Sequence, residues 1–408
     1  MKLHDTARVE RAVLVQVVHA RMDALEAADS LLELGRLADT AGLEVAGQLT
    51  QNRDKPDGGT MIGSGKVEDL KTLIEETGAN TVVVDNELNA FQAFNLAKTL
   101  GVRVMDRTEV ILEIFARRAR SAEAQLQVEL AQTQFLLSRI PVTESQQRFA
   151  GGGGGAYVRG PGESHLSLRN EPLRRRIAEL RKRLVTIQKR RTVRDRTKRE
   201  WPVVCLVGYT NAGKSTLLNA LAGAGAYVDD RLFATLDTKT RKVWLAPSRE
   251  ILLTDTVGFI RNLPHGLIAS FRSTLSVAIE ADLLLIVVDA AYPRVADHID
   301  VCFRTLREIG AGDVPHLLVL NKCDTEGAVS GKEAATATLP LLAGKHPQAL
   351  PVSALTGYGL DLLKQAIIQE LQSCSALWQL PPSAGARDHE RAPQVQAWPR
   401  QTAKDTTT

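Results

Sequence analysis

Residues 203–216 read VVCLVGYTNAGKST, and no other stretch limits the possible folds of this chain so sharply. An apolar run from Val203 to Val207 leads into Gly208-Tyr209-Thr210-Asn211-Ala212-Gly213-Lys214-Ser215, which fits the pattern G-x-x-x-x-G-K-[ST] at every fixed position. The chemistry requires that spacing. Glycines let successive backbone N–H groups wrap phosphate oxygens, the lysine brings a point charge to the β- and γ-phosphates, and the Ser215 hydroxyl suits magnesium. The amphipathic run from Ser215 through Thr216 to Leu221 predicts a helix whose positive end faces the same anion. A buried strand, a tight loop and a helix must therefore follow one another without a break.

Downstream residues address which nucleotide is held. The segment Leu232-Phe233-Ala234-Thr235-Leu236-Asp237 carries a threonine, Thr235, that can complete a magnesium shell beside a γ-phosphate, with Thr238 and Thr240 as competitors. Val243–Leu245 and Ile251–Thr254 read as paired strands about the turn Pro247–Glu250. The second strand ends in Asp255-Thr256-Val257-Gly258, 47 residues after Gly208. Asp255 can hold magnesium through water, and Gly258 can offer its N–H to the γ-phosphate. Leu283–Asp289 and His316–Asn321 are buried strands, and the second runs into Asn321-Lys322-Cys323-Asp324. A carboxylate there can accept from both the ring N–H and the exocyclic amine of guanine. Adenine lacks those donors, and an unpaired buried acceptor rejects it by roughly 10⁴-fold. Ser353-Ala354-Leu355, after a strand at Ala349–Val352, adds a backbone N–H for the guanine carbonyl. The expected ligands are GTP and GDP with Mg2+.

With 408 residues, 44% hydrophobic and 24% charged, the chain has the composition of a globular protein of two or three domains. No apolar run reaches the roughly 20 residues of a membrane span. Four scattered cysteines, Cys205, Cys302, Cys323 and Cys374, form no C-x-x-C pair, which argues against a disulfide framework or zinc site and fits a reducing compartment. The expectation is a monomer in the cytoplasm, in part peripheral to a membrane. The net charge of +4 is unevenly spread, because residues 169–200 hold eleven Arg and three Lys against three Glu and one Asp. A solvated helix face is one reading of that run, but the density favours a partner rich in phosphate.

Residues 11–108 alternate between strand and helix patterns. Val13–Val18, Leu43–Thr50, Thr81–Asp85 and Val102–Met105 read as strands, and Met22–Ala41, Lys66–Glu76 and Leu88–Leu100 as helices, which predicts a small α/β domain with a mainly parallel sheet. Met61-Ile62-Gly63-Ser64-Gly65-Lys66 opens the second helix, as a tight capped turn or as a phosphate-holding turn.

Asp106 to Glu109 fits a capping box, and no Gly or Pro follows until Pro141, so one unbroken helix is expected from 107 to 140. Leu112, Phe115, Ala119, Ala122 and Leu126 form its stripe. A second arm is expected to begin at Asn170 with Pro172 in its first turn. Its seam is Leu173, Ile177, Leu180, Leu184 and Ile187, so the two arms predict a long antiparallel hairpin whose second arm is basic. Between them lies FAGGGGGAYVRGPGE, residues 149–163, either a flexible tip or a probe that orders on RNA through Tyr157 and Arg159. The expected division is 1–107, an N-terminal α/β domain; 108–200, the hairpin; 201–374, the P-loop domain; and 375–408, a disordered tail.

GYTNAGKST, LFATLD, DTVGFIRNLPH and NKCD, with the upstream IGSGK, the ELAQ-containing arm and RGPGE, resemble the HflX family of translation-factor-class GTPases. The resemblance runs in family order from Leu43 to Leu371. It implies a GTPase that binds the large ribosomal subunit through the basic hairpin and uses GTP in splitting, rescuing or recycling ribosomes. It also implies ATP binding by the N-terminal domain and a hairpin loop that reaches toward the peptidyl-transferase region. Asn211 matches the position that coordinates K+ in related GTPases, and Phe259 stands where some carry a water-orienting Gln. A phenyl ring cannot orient water by hydrogen bonding, so slow intrinsic turnover is expected, with water positioned by another group, by K+ near Asn211 or by the ribosome, and with stimulation by large subunits. The chain departs from the family after RGPGE, with Ser164-His-Leu-Ser-Leu-Arg-Asn-Glu171 in place of Thr-Gln-Leu-Glu followed by Asp-Arg-Arg.

Overall fold

The computed structural model describes residues 10–20, 22–140, 162–196, 200–223, 232–233, 238–261, 277–324 and 348–374, with side chains of the helix at 162–196 described over 170–187. The Gly-rich segment 141–161 and the tail 375–408 lie outside these residues.

The N-terminal sheet holds β1 (Arg11–Val18), β2 (Glu44–Asn52), β3 (Thr81–Val84) and β4 (Arg103–Asp106), all parallel in the order β2-β1-β3-β4. Its crossovers are α1 (Ala24–Thr40), α2 (Ser64–Thr77) and α3 (Ala90–Leu100), and α4 (Arg107–Arg118) follows β4 directly. Successive strand residues point to opposite faces, which sorts the core into two layers. Val13, Val15, Val17, Val82 and Val84 pack under α2 and α3 on Val67, Leu70, Ile74 and Leu96. Ala12, Leu14, Val83 and Met105 pack on the other face against Leu34, Leu37 and Ala38 of α1 and Ile111, Ile114 and Phe115 of α4. The expected strand–helix alternation is present, with ends shifted by one or two residues.

Two helical expectations need correction. The helix expected from 107 to 140 is two, α4 and α5 (Ala122–Ser138), because Ala119 turns extended at ψ 110° and Ser121 caps the new helix by accepting from the Ala124 N–H at 3.1 Å. Leu112 and Phe115 bury in the N-terminal core instead of continuing a stripe into α5. The second arm, α6 (Gly162–Arg196), starts eight residues before Asn170, with Pro172 inside it. Proline removes a single i→i−4 bond there, and the long helix runs through it.

The seam itself is present. Ile177, Leu180 and Leu184 of α6 bury against Leu130 of α5, flanked by Leu126 and Leu137. Arg176 crosses to Glu129 at 2.6 Å. Arg174, Arg175, Arg181, Lys182 and Arg183 remain on the exposed side of α6.

The second sheet has the order β10-β9-β8-β5-β7-β6. It contains β5 (Val203–Gly208), β6 (Lys239–Ala246), β7 (Arg249–Asp255), β8 (Leu283–Asp289), β9 (His316–Asn321) and the short β10 (Leu350–Pro351). All pairings are parallel except β6 with β7, which joins through Pro247 and a left-handed Ser248 at φ 60°. α7 (Lys214–Leu221) and α9 (Leu360–Cys374) cover one face, and α8 (Val295–Ile309) covers the other. The carboxyl ends of β5, β7, β8 and β9 therefore lie side by side, where α/β sheets place their ligands. No helix among the described residues is long and apolar enough to cross a membrane.

Candidate functional site

The loop from β5 to α7 is shaped by its glycines. Gly208 has φ 147°, and a Cβ there would sit 2.0 Å from the Val287 carbonyl of the neighbouring strand. Gly213 has φ 86°, and its Cβ would sit 2.2 Å from Asn321 Nδ2. Neither position accepts a side chain without moving the frame. Between them Asn211 is exposed at the loop tip in a left-handed conformation, φ 59°. Ala212 is buried, and the buried Thr210 hydroxyl has no hydrogen-bond partner among the described residues. Lys214 is buried and donates to the carbonyls of Gly208 at 3.1 Å and Tyr209 at 2.8 Å. Burial pushes its pKa down, partly offset by the Asp255 carboxylate. A phosphate beside this ammonium would offset the same desolvation. Thr216 is half-buried on the first turn of α7.

The end of β7 meets this loop from the side. Ser215 Oγ donates to Asp255 Oδ2 at 2.6 Å, which places a hydroxyl and a carboxylate together. These are hard oxygen donors of the kind magnesium takes alongside phosphate oxygens. Thr256 is fully buried, its hydroxyl donating to the Leu206 carbonyl at 2.7 Å, and Val257 packs inward. Gly258 lies so close to the loop that a Cβ would be 2.8 Å from Thr210 Cα and 2.9 Å from Lys214 Nζ. The Phe259 N–H donates to Gly208 at 2.9 Å, and its carbonyl accepts from Thr210 at 2.7 Å. The phenyl ring itself is 2% exposed and packs in the core with Cys205, Val207 and Ile286. Phe233 is left-handed at φ 53° and sits edge-on to Phe115 of α4, ring centroids 4.7 Å apart. Ala234, Thr235, Leu236 and Asp237 lie outside the described residues.

On the other side of the loop, Asn321 is 2% exposed and ties two segments together. Its Nδ2 donates to the Ala212 carbonyl at 2.9 Å, and its Oδ1 accepts from the Ala354 N–H at 3.0 Å. Both functions of the amide serve the frame, and the exposed Asp324 carboxylate is the group open to a base. Lys322 is left-handed at φ 64° and pairs with Asp289 at 2.8 Å. The Ser353 N–H donates to the Tyr358 carbonyl at 2.9 Å, and its hydroxyl accepts from Thr356 at 3.1 Å. With the amides of Ser353, Ala354 and Thr356 engaged, the Leu355 N–H is the donor of this turn without a partner among the described residues.

One constellation has no counterpart in the sequence motifs. The Tyr209 hydroxyl donates to Glu33 of α1, 176 residues away, and accepts from the Arg261 N–H at 2.8 Å. Its ring stacks on His298 at 3.8 Å, which stacks in turn on Tyr292 at 4.1 Å. Burial, then Arg261 and Arg294, lowers the His298 pKa to about 3. Glu33 is held by the buried Arg107, which also pairs with Asp85 at 2.6 Å. Burial raises the Glu33 pKa against the pull of Arg107, and burial followed by the Glu33 charge raises that of Tyr209. The N-terminal IGSGK turn is more ordinary. The Gly63 N–H donates to Gln51 at 2.9 Å, and Lys66 is taken up by Asp69 on its own helix at 2.8 Å.

Three family models match in sequence along the chain: GTP-binding GTPase N-terminal at 28–116, GTP-binding GTPase Middle Region at 118–199, and 50S ribosome-binding GTPase at 203–322. The GTPase HflX of Caldanaerobacter subterraneus subsp. tengcongensis is 44% identical over 89% of this chain and 81% of its own. That of Escherichia coli is 39% identical over 95% of this chain and 89% of its own. The chain belongs to the HflX family of GTPases. Like those relatives it is a GTP hydrolase, built on a P-loop GTPase domain with an N-terminal α/β domain. The crystal structure of SsGBP with GDP is similar in fold, with a TM-score of 0.51 and 26% identity over 90% of this chain and 99% of that one.

Proposed function

We propose that this HflX-family chain binds the large ribosomal subunit and uses GTP binding and hydrolysis to split, rescue or recycle ribosomes. The observation that carries this reading is the face of α6 turned away from its apolar seam. Arg174, Arg181 and Lys182 are exposed there with no ion pair among the described residues. The other arginines are engaged, Arg175 with Glu171, Arg183 with Glu179, and Arg176 with Glu129 and Glu179. Unspent cations on one side of a helix fit a phosphate backbone, where each neutralised phosphate releases a counterion. The family model described as 50S ribosome-binding GTPase supports the same partner. The division of labour follows the expected segments: 1–107 docks on the GTPase domain, 108–200 meets RNA as a helical hairpin, and 201–374 handles nucleotide in the cytoplasm.

In this reading Gly208 to Thr216 hold the phosphates, with Lys214 turning from its own loop carbonyls to the β- and γ-phosphates. Ser215 and Thr235 hold Mg2+, which shields the charge of the phosphates, and Asp255 acts through water. Gly258 offers its N–H to the γ-phosphate, and Asn211 at the exposed tip holds K+. Asp324 and the Leu355 N–H read guanine, while Asn321, Lys322, Ser353 and Ala354 fix that pocket. Because the Phe259 ring is buried in the core, this position cannot orient the attacking water. The attacking water is then positioned by another group, by K+ at Asn211 or by the ribosome, and large subunits stimulate a slow intrinsic turnover.

The test is co-sedimentation with large subunits in a non-hydrolysable GTP analogue, together with GTPase rates with and without subunits. The triple variant Arg174→Ala, Arg181→Ala, Lys182→Ala is expected to weaken RNA binding and flatten its dependence on log salt by up to about three phosphate contacts. An unchanged slope, or rates indifferent to subunits, refutes the reading and leaves a switch that docks a protein effector.

A further inference from the structure

The contact between α1 and the phosphate loop bears on which nucleotide the site prefers, and it rests on the placement of the γ-phosphate proposed above. Residues 258–261 lie directly on the loop. Besides the two backbone bonds between Phe259 and the loop, the space beside Gly258 is closed by Thr210 Cα and Lys214 Nζ, 2.8 and 2.9 Å from where a Cβ would stand. A γ-phosphate that reaches both Lys214 and the Gly258 N–H must enter between these groups, so residues 258–261 have to move outward. A diphosphate makes no such demand.

The same segment is fastened from outside the GTPase sheet. The Arg261 N–H donates to the Tyr209 hydroxyl at 2.8 Å, and that hydroxyl donates to Glu33. Glu33 cannot drift, because the buried Arg107 grips it and is itself held by Asp85 at 2.6 Å. The Arg261 guanidinium adds a contact to Asp297 at 3.3 Å. Stacking on His298 fixes the Tyr209 ring, so its hydroxyl stays on this line.

We propose that Glu33 and Tyr209 form an interdomain latch that holds residues 258–261 against the phosphate loop and biases the site toward the diphosphate. Glu33 is a positioning residue for nucleotide discrimination, acting through the Tyr209 hydroxyl, and touches no nucleotide. The latch is broken in the triphosphate complex and intact in the diphosphate complex. Its free energy is therefore subtracted from triphosphate affinity alone. By linkage, a partner that pulls α1 from the loop favours GTP, and GTP loosens α1.

The experiment uses the full chain and the variants Glu33→Gln and Tyr209→Phe. Glu33→Gln keeps the side-chain volume, and Tyr209→Phe keeps the stack on His298. Dissociation constants for GDP and for a non-hydrolysable GTP analogue are measured by titration on each. The ratio Kd(GDP)/Kd(analogue) is expected to rise roughly 10- to 150-fold, the worth of a hydrogen bond to a charged group. A merely structural role moves both constants together. A ratio within twofold of the parent in a folded variant overturns the latch, and if Glu33→Gln does not fold, Tyr209→Phe decides. Lys214→Ala separates the two readings. Should it leave both affinities intact, the site assignment itself fails, independently of the latch.

Discussion

Replacing Asn321 by alanine tests how the nucleotide pocket is assembled. The side chain joins two segments that sequence holds far apart, 109 residues to Ala212 and 33 to Ala354. Truncation leaves the Ala212 carbonyl and the Ala354 N–H without their partner, both in residues no more than 8% exposed. Each orphaned buried group costs about 1–3 kcal/mol, so the frame loses about 2–6 kcal/mol. In the free protein both loops can relax toward water and recover part of this. Binding draws them back into register, so the loss falls mainly on the complex, at the lower part of the range. We expect GDP affinity to fall roughly 30- to 1000-fold, about 2–4 kcal/mol. The melting temperature of the nucleotide-free protein should move little by comparison. Isothermal titration with GDP, paired with a thermal melt, reads the two separately. A GDP dissociation constant within threefold of the parent would mean that Asn321 does not brace the pocket.

Two further perturbations follow from burial. His298 has its pKa lowered to about 3, against 6.5 for a free imidazole, by burial and by Arg261 and Arg294. The folded state thus holds it neutral where the unfolded chain protonates it. Its share of stability is complete above about pH 6.5 and is lost as pH falls toward 3, by up to about 1.4 kcal/mol per pH unit. Urea unfolding between pH 7 and 4.5 should show a shallower pH slope in His298→Phe, which keeps the ring between Tyr209 and Tyr292; an equal slope contradicts the assignment. Leu180 is fully buried in the seam between α5 and α6. Leu180→Ala should cost about 2–5 kcal/mol by chemical denaturation, and a loss below about 1 kcal/mol would show that this seam is not a packed core.

The strands that carry the site are legible in their composition. Leu283–Asp289 and His316–Asn321 have the bounds expected of them, because runs so apolar and so short have no alternative to a central parallel strand. The helical arms were harder. Ser121 is a local start signal at the break, an N-cap residue with Glu123 in the turn after it, and α4 ends before it with its apolar side in the N-terminal core. The early start of α6 has the opposite cause, since Asn170 and Pro172 are good start signals that a longer helix overrides.

The motif residues are legible in the sequence alone. A glycine-bracketed loop ending in Lys214 and Ser215, an aspartate at a strand end and NKCD are residue types that suit phosphates, a hard metal and guanine, and that match is the basis of the roles proposed for them. Tertiary structure decided what those residues do with their remaining atoms. It turned the Asn321 amide into a brace and sank the Phe259 ring into the core. It also joined Tyr209 to Glu33, a contact between residues 176 apart that no periodicity encodes. The physical reason is one of range: local sequence fixes which groups are present and how the backbone bends, whereas burial and hydrogen-bond satisfaction are settled only when distant elements pack.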